Sequence, residues 1–322
     1  MKKITMAALV TFLVFMSSFF WGVAHADSYP SKPIRLIIPF EQGGGTSALG
    51  RFFQTAIVEN KFLSVPMPIM YMPGAGGTVG AREVLNAEPD GYTLLLWNIS
   101  VFGSKAMKNV TFGYEDFTPI ASLGSTPFVL VVREGAPYKN VEELFAAAKA
   151  KPNTIPASVN MGASSHIGLV LTERASDGAK FRHVQYNGTT KAYTALLGEH
   201  VDVGVLPVST VTQVASKGIR SLAALAEKRD PQLPDVPTLM ELGYKVNFEL
   251  HNWLLAPKGL EAGKAKLLAN TFEKALGTPY VRNNLKANSF DPNFLRDEKM
   301  TKYMAKQNEE IMAIAARLRG EE

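Results

Sequence analysis

The fold of this chain is decided by residues 34–57, which read IRLIIPFEQGGGTSALGRFFQTAI. Residues 34–40 form a β-rich apolar run that leads into three consecutive glycines. After the glycines, apolar residues recur at positions 49, 52, 53, 56 and 57, which is the spacing of one helix face. A strand, a glycine turn and a helix are the repeating unit of a parallel sheet, so this stretch predicts an α/β fold.

The same order of elements recurs along the rest of the chain. Helix-like runs alternate with strand-like runs at 68–72, 93–97, 128–132, 155–159, 181–185, 201–206 and 219–225. Two helices are predicted after the last apolar run, at about 264–276 and 298–319. No low-complexity linker or tandem repeat separates the halves. We therefore predict two lobes joined by crossing strands, with lobe I at 27–124 and 254–322 and lobe II at 125–253.

The N-terminus has the pattern of a secretory signal peptide. Lys2 and Lys3 precede an apolar run, and Ala24-His25-Ala26 is a small-residue cleavage pattern. A signal peptide at 1–26 predicts a periplasmic protein. Its two lysines leave on cleavage, so the formal charge falls from +5 to 5 − 2 = +3. The remaining basic residues are scattered, which argues against a nucleic-acid partner.

The residue types argue against catalysis. The chain has no cysteine, which excludes disulfides, thiolate chemistry and cysteine-bound metals. Its histidines lack metal-ligand spacing. Ser165 and His166 are adjacent rather than paired across a fold, and no G-x-S-x-G motif is present. We predict no enzyme activity, no cofactor and no metal; an exported hydrolase is the weakest alternative.

Two glycine loops follow neighbouring strands in the first third of the chain. The first spans 39–47, where Thr46 or Ser47 is expected to cap the following helix, and the second spans 73–78. Glycines let a ligand approach the main chain, and a helix N-terminus favours an anion. Both loops should open at the carboxyl edge of one sheet, which predicts a carboxylate site.

Two further loops of lobe II, at 162–166 and 186–189, supply hydroxyl donors and more helix N-termini. A cleft with such loops on both sides suits a small acid with polar groups at each end. The predicted ligand-binding residues are Phe40, Gly43, Gly44, Gly45, Thr46, Ser47, Gly76, Gly77, Thr78, Asn98, Ser164, Ser165, His166, Tyr186, Gly188 and Thr189.

The chain resembles the Bug-type (TctC-like) extracytoplasmic solute receptors of tripartite tricarboxylate transporters. The matching stretches occur in the family's order over nearly the whole mature chain. They are 29–35 (YPSKPIR), the first glycine loop, 73–77 (PGAGG), 89–95 (PDGYTLL), 162–166 (GASSH), 183–186 (HVQY), 233–238 (LPDVPT) and 253–257 (WLLAP).

The resemblance implies a two-lobed type II periplasmic-binding-protein fold with a hinged ligand cleft. It implies that the first two glycine loops bind a carboxylate of the ligand and that the Ser/Thr loops of lobe II contact the rest of the ligand. The implied partners are a small carboxylate and the large and small membrane subunits of a transporter; a monomer is expected. The sequence does not separate this role from that of a ligand sensor docking on a membrane histidine kinase.

Two positions depart from the family's pattern. The family often has Asp where this chain has Ser47, and Pro where it has Glu41. The loss of an acid from the first loop suits ligands without an amino group, such as di- or tricarboxylates or aromatic acids. Glu41 would restore the negative charge if it pointed inward, but we expect it to be a solvated loop side chain.

Overall fold

The computed structural model describes residues 29–214 and 218–321, and the predicted signal peptide lies outside them. The strands are β1 (Arg35–Ile38), β2 (Ile69–Tyr71), β3 (Thr93–Asn98), β4 (Phe117–Arg133), β5 (Pro156–Val159), β6 (Arg182–Gln185), β7 (Val203–Pro207), β8 (Ile219–Ala224) and β9 (Glu249–Pro257). The helices are α1 (Gly45–Glu59), α2 (Thr78–Leu85), α3 (Ser100–Ala106), α4 (Val141–Ala150), α5 (Ser164–Ala175), α6 (Thr189–Leu197), α7 (Val208–Val214), α8 (Ala262–Leu276), α9 (Pro279–Ala287), α10 (Asp297–Met312) and α11 (Ala315–Leu318).

The strands form one continuous sheet with a change of partners in its longest strand. Its order is β2-β1-β3-β9-β4-β7-β5-β6, and β8 also pairs with β4. Residues 117–127 of β4 pair with β9, whereas residues 128–133 pair with β7 and β8. We call the part around β2-β1-β3-β9 lobe I and the part around β7-β5-β6 and β8 lobe II. The boundaries at 124/125 and 253/254 stay a prediction.

Parallel strands form the part of each lobe that carries the glycine and hydroxyl loops. In lobe I, β1 is parallel to β2 and β3. In lobe II, β5 is parallel to β6 and β7. Because parallel strands end at the same sheet edge, the loops after β1, β2, β5 and β6 meet over the cleft. The predicted α/β class is confirmed.

Helices cover both faces of the sheet and bury its apolar side chains. On one face of lobe I, Leu49 and Phe53 of α1 pack with Phe272 of α8. Full burial of a side chain such as Phe53 stabilises the fold by about 1.5–3 kcal/mol. The core of the other face runs through both lobes and includes residues of α2, α3, α5 and α10. No helix in residues 29–214 and 218–321 combines the length and apolarity that crossing a bilayer requires.

Three local predictions need correction. Helix α1 begins at Gly45 with Gly44 as its N-cap and no side-chain cap, so the cap expected at Thr46 or Ser47 is wrong. The C-terminal region contains an additional helix, α9, which begins at Pro279 because Thr278 caps it. The long helix expected at 298–319 is divided into α10 and α11.

Candidate functional site

The first glycine loop is joined to the sheet by a buried hydrogen-bonded chain. The Thr46 hydroxyl donates to Asn252 Oδ1 at 2.8 Å and accepts from Asn98 Nδ2 at 3.2 Å. Asn98 ends β3 and Asn252 lies opposite it on β9. All three side chains are buried, so each polar atom needs its partner. The chain therefore fixes the start of α1 against the centre of the sheet.

The N-termini of three helices meet at one small cavity of about 50 Å³, the inner cavity. Its walls include residues 44–46 at the start of α1, residues 163–165 at the start of α5 and residues 188–190 at the start of α6. The first N–H groups of a helix have no intrahelical acceptor, and the helix dipole adds positive potential there. Three such ends around one space, with hydroxyls between them, favour an anion there over a cation.

A second cavity of about 210 Å³, the outer cavity, lies beside the first. Residues 73–77 of the second glycine loop form its wall on lobe I, and Lys191 of α6 lies on lobe II. Both cavities are also lined by Glu41, Asn160 and Gly188, so they are neighbours in one cleft. Together the two cavities have room for a ligand with one group in the inner cavity and a second group in the outer cavity.

The second glycine loop has a shape that only glycine permits at one position. Gly77 has φ of +99°, and a Cβ atom there would lie 2.4 Å from Nε1 of Trp97. The same indole nitrogen donates to the Gly76 carbonyl at 3.3 Å. Trp97 is completely buried on β3, so it holds the loop in place from below.

The two lobes are in contact across the cleft. The backbone N–H of Ser164, at the start of α5, donates to the Ser100 hydroxyl of α3 at 3.1 Å. Gly103 of α3 lies against the carbonyl of Gly162, so closely that a Cβ at position 103 would lie 2.3 Å from that oxygen. The lobes therefore touch in this structure, and we call this arrangement closed.

An ion pair also spans the cleft. Lys191 Nζ donates to Glu41 Oε1 at 2.8 Å, joining α6 of lobe II to the first glycine loop. The side chains are 42% (Glu41) and 55% (Lys191) exposed. Glu41 is thus partly solvated, as the sequence predicts, but it also contacts the opposite lobe and lines both cavities.

Most of the predicted ligand-binding residues lie on the cavity walls. Those at the inner cavity are Phe40, Gly44, Gly45, Thr46, Asn98, Ser164, Ser165, Gly188 and Thr189. Gly76 and Gly77 line the outer cavity. Their role as ligand contacts stays a prediction.

Three predicted residues of the glycine loops lie off the cavity walls. The Ser47 hydroxyl is fully buried, accepts from Arg51 at 2.8 Å and donates to the Tyr71 hydroxyl at 3.2 Å. The Thr78 hydroxyl donates to the carbonyl of residue 75 at 3.0 Å. Gly43, with φ of +93°, supplies the turn before α1. These residues shape the loops from behind.

The two predicted aromatic residues of lobe II also lie off the cavity walls. His166 is buried beside His183, with ring centroids 5.1 Å apart, and its Nδ1 accepts the N–H of Gly162 at 3.2 Å. Burial and, to a smaller extent, His183 lower the pKa of His166 to about 3, so the ring is neutral. Tyr186 packs against the core of lobe II. In the described parts of the chain no three His, Cys, Asp or Glu side chains are grouped so as to hold a metal ion.

Among the residues that the structure adds to the cavity walls are Asn160, Glu41 and Lys191. Asn160 follows the end of β5 directly, so its position after a strand was a usable sequence signal. Its backbone N–H donates to Ser165 Oγ at 3.0 Å, which ties it to the start of α5. Nothing in the local sequence marks Lys191, because it reaches the cleft only when the lobes are together.

Comparison with known proteins agrees with this geometry. The family model described as the tripartite tricarboxylate transporter family receptor, TctC, matches residues 51–319. The chain belongs to this family. TctC-family receptors are binding proteins rather than enzymes, which sets aside the hydrolase alternative.

Individual members support a Bug-type receptor. The chain is 32% identical over 267 residues to the protein BugT of Bordetella pertussis, covering 80% of this chain and 80% of BugT. It superposes on the periplasmic binding protein BugD with a TM-score of 0.83 and 27% identity, covering 90% of this chain and 98% of BugD. MatC of Rhodopseudomonas palustris, solved with bound malate, has the same fold, with a TM-score of 0.78, 24% identity and coverage of 91% and 99%.

Proposed function

We propose that this TctC-family receptor works in the periplasm, where its two joined cavities capture a small di- or tricarboxylate. The observation that carries the proposal is the meeting of three helix N-termini at the inner cavity. Backbone N–H groups and helix dipoles favour an anion without requiring a buried cation. The bound malate of MatC is that protein's ligand; at 24% identity it shows that this fold accommodates a dicarboxylate.

The expected affinity follows from the number of donors. Each charge-assisted hydrogen bond contributes about 1.5–3 kcal/mol, and the ordering of ligand and lobes offsets part of the sum. A few such bonds give a binding free energy of about −8 kcal/mol, which is a Kd on the order of micromolar. Such an affinity allows both capture and release.

The recipient of the ligand is proposed from the family description. We expect the receptor, as a monomer freed of its signal peptide, to deliver its ligand to the large and small membrane subunits of a tripartite tricarboxylate transporter. Ligand uptake into vesicles that contain those subunits should depend on added receptor. Uptake at the same rate without receptor would contradict delivery. The sensor alternative shares the ligand site, so ligand binding alone does not separate the two roles.

Ligand capture is tested by thermal unfolding of the mature protein after refolding and dialysis. We expect a dicarboxylate or tricarboxylate to raise the Tm; a ligand at 100 times its Kd adds about 2.7 kcal/mol to the free energy of unfolding. The methyl esters of the same acids are the control, because they lack the anionic charge. Equal shifts with acids and esters, or no shift with any acid, would refute the carboxylate site.

A pair of serine variants tests the position of the anion. Ser164→Ala removes a hydroxyl at the wall of the inner cavity, and we expect ligand affinity to fall about fivefold with little change in unfolding. Ser165→Ala removes the acceptor of the Asn160 N–H, so it should lower the free energy of unfolding by about 1 kcal/mol as well. Unchanged affinity in Ser164→Ala would place the anion elsewhere.

A further inference from the structure

The charged side chains on the walls of the two ligand cavities are Glu41 and Lys191; every other described wall residue is uncharged. Glu41 lines both cavities, whereas Lys191 lines the outer cavity alone. The charge balance of the outer cavity therefore depends on this one ion pair. Glu41 and Lys191 are the charged side chains that can pair with a charged group of a ligand there.

The ion pair between Glu41 and Lys191 can break and form again with other partners. Both side chains are about half exposed, and the bond joins two lobes rather than two residues of one core. Exposed ion pairs contribute little to stability, since water and salt compete for both charges. Glu41 sits on a loop and can turn into solvent without leaving a buried charge.

The position of Lys191 favours an anionic partner. Lys191 lies in the first turn of α6, where the helix dipole opposes a positive charge and an anion is stabilising. In the closed structure Glu41 supplies that anion. A ligand ammonium taking Glu41 would instead leave Lys191 unmatched beside a helix N-terminus. The surroundings thus favour a second carboxylate over a cation in the outer cavity.

The volumes of the two cavities indicate which part of the ligand each one holds. The inner cavity, at about 50 Å³, has room for little more than one carboxylate group. The remainder of any ligand must extend into the outer cavity of about 210 Å³, beside Lys191. A monocarboxylate would leave the ion pair as it is, whereas a dicarboxylate would bring its second charge to it.

We propose that Lys191 determines specificity for the second carboxylate of the ligand, and that Glu41 is its displaceable internal partner. When a dicarboxylate enters, Lys191 Nζ exchanges the Glu41 carboxylate for that of the ligand, and Glu41 turns to solvent. This inference rests on the proposed function, because it needs a first carboxylate in the inner cavity.

The test compares diacids with ligands that lack the second charge. Succinate, glutarate and adipate are each titrated calorimetrically against their monoamides, with wild type, Lys191→Met and Glu41→Gln. For the diacid that wild type binds best, we expect a preference over its monoamide of about tenfold, and Lys191→Met should abolish it. Glu41→Gln should bind the diacid about two- to fivefold more tightly, because the competing carboxylate is gone.

Matched variants control for net charge. Lys149→Met and Glu88→Gln remove the same charges at exposed positions outside both cavities, and the diacid preference should persist in both. Thermal unfolding verifies that all four variants fold. A diacid preference that survives Lys191→Met would overturn the inference. The inference would also be overturned if Glu41→Gln lost affinity only for acids that carry an amino group, such as aspartate. Glu41 would then bind the ammonium group of the ligand.

The design separates failure of the inference from failure of the proposed function. If wild type binds both diacid and monoamide, and Lys191→Met leaves their ratio unchanged, carboxylate capture stands and the role of Lys191 is refuted. If wild type binds neither the diacids nor the monoamides, while its thermal unfolding is cooperative, the proposed function fails and the inference with it.

Discussion

Substitution of Gly103 by alanine should separate closure of the cleft from stability of the fold. Gly103 lies within α3 of lobe I and faces Gly162 and Ile167 of lobe II. A Cβ atom there would lie 2.3 Å from the Gly162 carbonyl oxygen and 2.8 Å from Ile167 Cδ1. The Ile167 side chain can rotate, but the Gly162 carbonyl belongs to the backbone. The lobes of the variant should therefore be unable to approach as closely as they do in this structure.

The two effects of the substitution have opposite signs. Overpacking a tight contact costs about 1–3 kcal/mol, and in Gly103→Ala this cost falls on the closed state alone. It corresponds to a loss of about five- to 150-fold in ligand affinity. Within α3, alanine is a better helix former than glycine by about 0.5–1 kcal/mol, so the ligand-free protein should keep or slightly raise its Tm.

Titration calorimetry measures the affinity, and small-angle scattering with and without ligand measures closure. Gly263→Ala is the matched control, because it also lies in a helix, α8, and its Cβ would meet only the flexible end of Glu261. That variant should keep wild-type affinity. If Gly103→Ala bound ligand as tightly as wild type and contracted equally on binding, the contact between α3 and the turn at Gly162 would not limit closure.

Two further predictions concern buried polar groups. Thr46→Val should lower the free energy of unfolding by about 1–3 kcal/mol in urea titrations, because the side chains of Asn98 and Asn252 lose their shared hydrogen-bond partner. Thr46→Ser keeps the hydroxyl and should restore most of the loss. Equal free energies of unfolding for wild type and both variants would argue against the network. Burial lowers the pKa of His251 to about 4 and, with His183 as a smaller cause, that of His166 to about 3. Both histidines bind a proton more readily in the unfolded chain, so their contribution to the free energy of unfolding should be present above about pH 6.5 and be lost as the pH falls towards 4. Between pH 7.5 and 5 the expected loss is about 2 kcal/mol per histidine. His251→Gln should halve that slope in unfolding titrations, and an unchanged slope would show that the ring is not held neutral.

Local sequence was sufficient for the architecture because its signals are short-range. The apolar run before Pro39, the glycines after it and the helical spacing from Leu49 define a strand, a turn and a helix without reference to the rest of the chain. The repetition of that unit implies parallel strands, and parallel strands place their loops at one edge. The α/β class and the positions of the four loops were therefore predictable.

The sequence was less informative about which loop residues face the cleft. Ser47 and Thr46 are adjacent hydroxyl residues in the first turn of α1, but only Thr46 reaches a cavity wall. Successive residues of a helix point about 100° apart, so the choice depends on how α1 is rotated against the sheet. That rotation is set by packing, in which Ser47 contacts Tyr71 and Arg51 behind the loop.

By itself, the sequence determined that this chain is an α/β protein of the TctC receptor family whose glycine loops lie at helix N-termini. Only the tertiary structure decided that the N-termini of α1, α5 and α6 share one cavity and that Glu41 meets Lys191 beside it. These two residues are 150 positions apart. No local pattern encodes their contact, because it exists only where the lobes bring the first glycine loop and the start of α6 together across the cleft.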